Sequence, residues 1–178
     1  MAQIDDFKAN LIGGGARANQ FRVTITAPVG ISIGLDVRRT SFMCKGANLP
    51  STTITEIAIP FRGRNIYIAG DRAAPEPWET TFYNDTDFMI KNAIERWSNG
   101  INDWVSTQGV IAPADYQTDL TVEQLDRDET VLKTYIFRSA WPTTTGSQID
   151  LTSDEATALE EFECTWRYQH FEASGVNF

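Results

Sequence analysis

Residues 50–87 read PSTTITEIAIPFRGRNIYIAGDRAAPEPWETTFYNDTD, and the fold turns on this stretch. Two β-rich arms, Thr52 to Phe61 and Asn65 to Ala69, flank the tight polar turn Arg62-Gly63-Arg64. A Gly70-Asp71-Arg72 break follows, then a third arm from Trp78 to Tyr83 and a polar helix start at Asn84-Asp85. Along the first arm Thr53, Thr55, Ile57, Ile59 and Phe61 share one face, and Ile54, Glu56 and Ala58 share the other. That alternation is the pattern of a half-buried strand. The outward face still carries Ile54 and Ala58, so a second surface is needed to cover the hairpin. We read that cover as another copy of the same chain.

Upstream, Phe21, Val23, Ile25 and Ala27 alternate with Arg22, Thr24 and Thr26, which predicts a strand that Pro28 and Gly30 end. Ile31 to Leu35 offers a short second element. Val37 to Leu49 reads as a longer strand, with Phe42 and Cys44 on one side, Met43 on the other and a bend at Gly46. Residues 1–19 place Ile4, Phe7, Leu11 and Ile12 at near-helical spacing before Gly13-Gly14-Gly15. This predicts an amphipathic arm and a hinge, with the arm lying as a strap on a neighbour.

Downstream, Asn84 or Asp85 is the expected helix N-cap, and Asp87 sits favourably for the dipole in the first turn. Ile90, Ala93, Ile94, Trp97, Ile101 and Trp104 form one apolar stripe, with an end or bend expected at Gly100. Ser106 to Tyr116 reads as loop, and Leu120, Val122 and Leu125 mark a weaker strand before the acidic turn Asp126 to Glu129. From Val131 to Trp141 the chain is apolar on both faces: Val131, Tyr135, Phe137 and Trp141 against Leu132, Ile136 and Ala140. A central strand is expected there, broken by Pro142 to Gly146. Ile149 to Leu159 reads as a helical turn, and Glu161 to Phe171 as a last strand with Phe162, Cys164, Trp166 and Tyr168 inward. The sum is mainly β: an antiparallel β-sandwich or barrel of about seven or eight strands with one packed α-helix. All 178 residues are expected to form one domain, with the arm 1–19 and the long hairpin 50–72 as assembly elements.

The chemistry-bearing residues are sparse. Cys44 and Cys164 each sit inside an apolar strand pattern and read as buried free thiols. A single His170 cannot build a multi-histidine metal site, and no phosphate loop or nucleophile elbow is present. Asp85, Asp87 and Glu95 are better explained as capping and solvated residues than as a catalytic pair. No enzyme activity, cofactor or metal is expected. The N-terminal stretch carries acids and no apolar run, so no secretory signal is expected and the protein is placed in a cytoplasm. The net charge of −9 argues against sequence-specific nucleic-acid binding, and only Arg62, Arg64 and Arg72 gather as a short basic group.

The run LPSTTITEIAIPFRGRNIYIAGDR…PWETTFYNDTDFMIKNAIERW resembles the tail tube proteins of contractile-tailed, T4-like bacteriophages. The likeness rests on Leu49-Pro50, the Ile-Pro-Phe-Arg-Gly-Arg turn, Ala69-Gly70-Asp71-Arg72, Trp78, and Asn84-Asp85 leading to Glu95-Arg96-Trp97. It continues more loosely in Ala140-Trp141-Pro142 and in Phe162 to Phe171. The resemblance implies a structural subunit of six-membered rings that stack into a hollow tube, through which tape-measure protein and then DNA pass. It also implies sheath, baseplate and tail terminator proteins as partners, and a virion tail assembled in the host cytoplasm. Self-association is then expected at Ile54, Ile57, Ile59, Phe61, Arg62, Arg64, Asp71 and Arg72. In a tube the acidity gains a use, since a carboxylate-rich lumen repels phosphates and leaves DNA mobile. Two further readings stay open: the tube of a tailocin or type VI secretion machine, and an isolated binding module with Trp78, Trp141 and Trp166 as its platform.

Overall fold

A computed structural model of the chain describes residues 4–147 and 159–176. The chain begins with helix α1 (Ile4–Asn10) and a 3-10 turn at Ile12–Gly14, then strand β1 (Phe21–Ile25), helix α2 (Val37–Met43) and strand β2 (Cys44–Ala47). A hairpin of β3 (Ile54–Phe61) and β4 (Arg64–Arg72) follows, then β5 (Trp78–Tyr83), helix α3 (Met89–Ile101) and a one-turn helix α4 (Pro113–Tyr116). The chain closes with β6 (Thr118–Leu125), β7 (Val131–Thr144), β8 (Glu161–Arg167) and β9 (His170–Ala173). The helical turn expected over Ile149 to Leu159 falls almost wholly outside the described residues.

All pairings are antiparallel. Seven strands form one sheet in the order β1-β6-β7-β8-β5-β2, with β9 also on β7, while β3 and β4 make a separate two-stranded sheet. The mainly β, antiparallel expectation holds, but no closed barrel forms. Among the described residues no pairing joins the edge strands β1 and β2; α2 packs along β1 and runs straight into β2. A helix thus fills the gap that a further strand would close.

Register explains the core. Phe82 lies opposite Phe162, Thr80 opposite Cys164, and Trp78 opposite Trp166, so one face of β5 and β8 is a continuous apolar surface. On it α3 lays Ile90, Ala93, Ile94 and Trp97, all buried. Each core indole also finds an acceptor: Trp78 Nε1 donates to the Asn48 carbonyl (2.7 Å), Trp97 Nε1 to the Tyr116 carbonyl (2.8 Å) and Trp166 Nε1 to Thr80 Oγ1 (2.8 Å). Burial therefore leaves no indole N–H unsatisfied.

β7 is the shared strand. Its first half pairs with β6 and β9 and its last residues pair with β8. Between them Ser139 adopts a positive φ of 53°, and its N–H donates to Asp119 Oδ1 (3.0 Å). This irregularity resets the alternation. Phe137 and Ala140, expected on opposite faces, are both buried in the core, and Trp141 is half-buried with its ring edge-on to Tyr116. Pro142 does not end the strand; it sits buried opposite Trp166 next to a register shift, the kind of irregular position at which a strand tolerates proline. The final strand also divides, into β8 and β9, on either side of Tyr168 and Gln169.

Three further expectations are corrected. Val37 to Leu49 is helix then strand: Asp36 caps α2 by accepting the Arg39 N–H (3.1 Å), and the Thr40 hydroxyl returns to the Asp36 carbonyl (2.7 Å). Ile31 to Leu35 is irregular, with Ile33 buried. The helix α3 begins at Met89, not at Asn84 or Asp85. Phe88 precedes it in the left-handed region (φ 51°), and Asp87 Oδ1 accepts the Met89 N–H (3.1 Å). Gly100 lies inside the last turn because a Cβ there would stand 2.6 Å from Ile31 Cγ2. Gly100→Ala is accordingly expected to lose about 1–2 kcal/mol by overpacking despite alanine's better helix propensity, read as a lower denaturation midpoint.

Candidate assembly surface

The hairpin β3–β4 turns through Arg62 and Gly63, both with positive φ (46° and 83°), as a two-residue type I′ connection requires. Direct partners share a face, so Ile57 with Ile68, Ile59 with Ile66 and Phe61 with Arg64 form one side. Ala58 with Tyr67, Glu56 with Ala69 and Pro60 with Asn65 form the other. Ile57 is 49% exposed, and Ile59, Phe61, Ile66 and Ile68 are exposed to a similar degree. A row of five large apolar residues on a sheet with no covering layer among the described residues exceeds what isolated surface hydrophobics explain.

The structure brings Ile57, Ile59 and Phe61 together as expected, and Arg62 and Arg64 beside them at the tip. Ile54 stands on the opposite face at the base, paired with Arg72 across a register irregularity. Asp71 and Arg72 are also at the base, roughly 25 Å from the tip for a strand of this length. The four charged residues therefore do not form one cluster. Among the described residues none of them is in an ion pair; the Arg62 guanidinium rests 5.3 Å from the Phe61 ring centroid, and the Asp71 carbonyl accepts the Thr55 hydroxyl (2.7 Å). The sequence reading omitted Ile66, Ile68 and Tyr67. The alternation of β4 against β3 across the Arg62-Gly63 turn carries that signal.

Two other apolar exposures accompany the hairpin. On the arm, Ile4, Phe7, Leu11 and Ile12 are exposed, Ile12 at 92%. After α3, Trp104 is 90% exposed beside Val105 and Ile111, although its spacing placed it on the buried stripe. The helix ends at Ile101, and Asp103 folds the following turn by accepting the Ser106 N–H (2.8 Å) and hydroxyl (2.7 Å).

Electrostatics fix the scaffold around these surfaces. The Arg39 guanidinium binds Asp85 and donates to Asp87 Oδ2 (2.7 Å), tying α2 to the loop before α3. Arg138 bridges Asp119 Oδ2 (2.6 Å) and Glu172 Oε2 (2.7 Å) at the β7 irregularity. Hydrogen bonds from Arg39 hold both Asp85 and Asp87 below their ordinary value of 3.8, and Arg138 likewise holds Glu172 below its ordinary 4.5. Their stabilisation is complete at neutral pH and is lost as pH falls through and below about 4. Arg39→Met is expected to flatten the acid limb of a plot of thermal midpoint against pH.

The thiols behave as expected of buried cysteines. Burial raises Cys44 to about 12 and raises Cys164 as well. Neither is expected to react with a thiol reagent in the native protein, and both should titrate once it is unfolded. Trp78 and Trp166 are fully packed in the core, so the aromatic platform of a binding module is not formed. Among the described residues no group of acids, cysteines and histidine is placed to hold a metal ion. No helix among them is long and apolar enough to cross a membrane.

A curled antiparallel sheet with one packed helix and a projecting hairpin is the fold of chains in contractile injection systems. The chain aligns over 90% of its length, with 97% of the other chain covered, to the sheath/tube terminator structure of the PVC extracellular contractile injection system (TM-score 0.62, 12% identity). It aligns over 89%, with 90% covered, to the tube-terminating cap of the anti-feeding prophage (TM-score 0.61, 14% identity). At such identity the likeness establishes the fold. The family follows from sequence: the phage tail tube protein family model matches residues 16–174, and the tail tube protein of Serratia phage KSP90 is 30% identical over 94% of this chain and 95% of its own. The chain belongs to the phage tail tube protein family, whose members are structural tail components and not enzymes.

Proposed function

We propose that the chain is one domain that assembles into six-membered rings, stacked as the inner tube of a contractile, T4-like phage tail. Tape-measure protein occupies this tube before DNA passes through it during ejection. The observation that carries the reading is the uncovered apolar hairpin: a folded chain with a complete core leaves Ile57, Ile59, Phe61, Ile66 and Ile68 to a partner. Repetition of one chain lets the same hairpin cover the same acceptor at every step. Arm residues 4–12 supply a second strap. The excess of carboxylates, −9 per chain, makes the tube wall repel phosphate and keeps DNA mobile. Sheath, baseplate and tail terminator proteins are the partners outside and at the ends. The tube is built in the host cytoplasm and resides in the virion tail.

Negative-stain electron microscopy of the purified protein, beside light scattering for mass, tests the reading. Rings or hollow tubes of uniform width are the expected result. A monomer that stays a monomer at high concentration and in the presence of preformed tail baseplates defeats it. The fold's likeness to extracellular injection systems supports one alternative, a tailocin or type VI secretion tube. Tubes attached to DNA-filled heads in lysates of producing cells separate the phage from those machines.

A further inference from the structure

Head-to-tail growth needs two different surfaces on one chain, a projecting one and an acceptor. The acceptor must offer exposed apolar residues, and it must lie away from the base of the hairpin. We propose that it is the groove between α2 and β1, bounded by the acidic β6–β7 turn, and that a second copy's hairpin tip occupies it. This rests on the tube reading above and adds to it the residues that receive the tip.

Three observations point there. The first is position. The hairpin returns to the sheet at Trp78, the first residue of β5, whereas α2 is bound through Arg39 to Asp85 and Asp87, just past Tyr83 at the other end of that strand. Tip and groove therefore belong to opposite ends of β5, the arrangement that lets identical copies add in one direction. The second is shape and polarity. The groove encloses about 600 Å³ and is lined by Phe21, Val37, Arg38, Phe42, Leu125 and Glu129. Phe42 is 76% exposed there, with the Arg38 guanidinium 5.9 Å from its ring centroid. Phe21, Val37, Phe42 and Leu125 offer an apolar seat for Phe61 and Ile59, and Gln20, Thr24 and Ser41 give it a polar rim.

The third is charge. Among the described residues Arg62 and Arg64 at the tip are in no ion pair with a carboxylate; the Arg62 guanidinium instead rests on the Phe61 ring. The turn beside the groove carries Asp126, Asp128 and Glu129, none in an ion pair among the described residues, against Arg127 and the stacked Arg38. Arg22, which also lines the groove, is already matched by Glu123 at 3.4 Å. The surplus is one carboxylate, which selects the cationic tip; the apolar match supplies the affinity. The exposed Trp104 loop is the competing acceptor.

Disulfide trapping decides between them. The native thiols are buried, so they leave the background low. The double variant Arg64→Cys with Glu129→Cys, assembled and then oxidised, is expected to give a ladder of covalent multimers on a non-reducing gel. Arg64→Cys with Trp104→Cys is expected to give none. The reverse pattern overturns the groove while leaving the tube reading intact, because tubes are still seen. If wild-type protein forms neither rings nor tubes, the tube reading falls and this inference with it. Charge exchange gives a second readout that does not depend on introduced thiols. Glu129→Arg is expected to lose tubes, and adding Arg64→Glu is expected to restore them. Unimpaired assembly of Glu129→Arg, or no restoration by the second change, counts against the groove.

Discussion

Ile57→Asp is expected to give a soluble, folded monomer that no longer associates. The side chain is half-exposed in the isolated chain, and among the described residues β3 pairs with β4 alone. A carboxylate there meets water in the monomer, and the cost to folding should stay within about 1 kcal/mol. In an assembled state the same carboxylate is buried against apolar groups without a partner, which costs several kcal/mol per contact. Because the site repeats at every copy, the effect on polymerisation is an all-or-none loss. Far-ultraviolet circular dichroism and a thermal scan establish folding; light scattering and electron microscopy establish association. Insoluble or unfolded Ile57→Asp protein would show that the hairpin is part of the core. Ile59→Asp should behave in the same way.

Trp166→Ala should produce the largest loss of stability in the chain, about 3–5 kcal/mol. Its ring is fully buried and lies 5.5 Å from Trp97 and 6.4 Å from Trp78 by centroids, so truncation opens a cavity where helix, β5 and β8 meet. Trp166→Phe retains much of the volume and loses chiefly the hydrogen bond to Thr80, about 1–2 kcal/mol. Urea denaturation of monomer-forming Ile57→Asp protein, with and without the tryptophan changes, isolates folding from association. Equal stability of the alanine and phenylalanine variants would mean that packing around this indole contributes little.

Much of the fold was legible because its strands obey strict alternation. Val23 and Ile25, Trp78, Thr80 and Phe82, and Phe162, Cys164 and Trp166 are buried as their parity required. The hairpin was legible from its turn and its two apolar runs, and Ile57, Ile59 and Phe61 share a face as expected. What failed depended on tertiary structure. VRRTSFM alternates well enough for a strand, but the cap from Asp36 and the clamp from Asp85 and Asp87 on Arg39 make it helical. Trp104 continues the helical spacing in number only, because the backbone has left the helix at Ile101. The change of face within β7 needed a left-handed serine that no periodicity announces. Asp71 and Arg72 are near the tip residues in sequence but sit a strand's length away from them. Proximity along a hairpin arm is a poor guide to clustering.

The irregularity in β7 bears on geometry at a larger scale. One strand serves both parts of the sheet, and at Arg138 and Ser139 its phase is pinned by Asp119 on one neighbour and Glu172 on another. A slip by one residue would break these bonds and turn side chains in both parts to the wrong face at once. The local curvature is thus indexed at a single point and should be the same in every copy. In the ring proposed above, identical curvature would let identical pieces close around a cylinder of constant bore, and errors at this point would accumulate around the circle before they were felt within any one subunit.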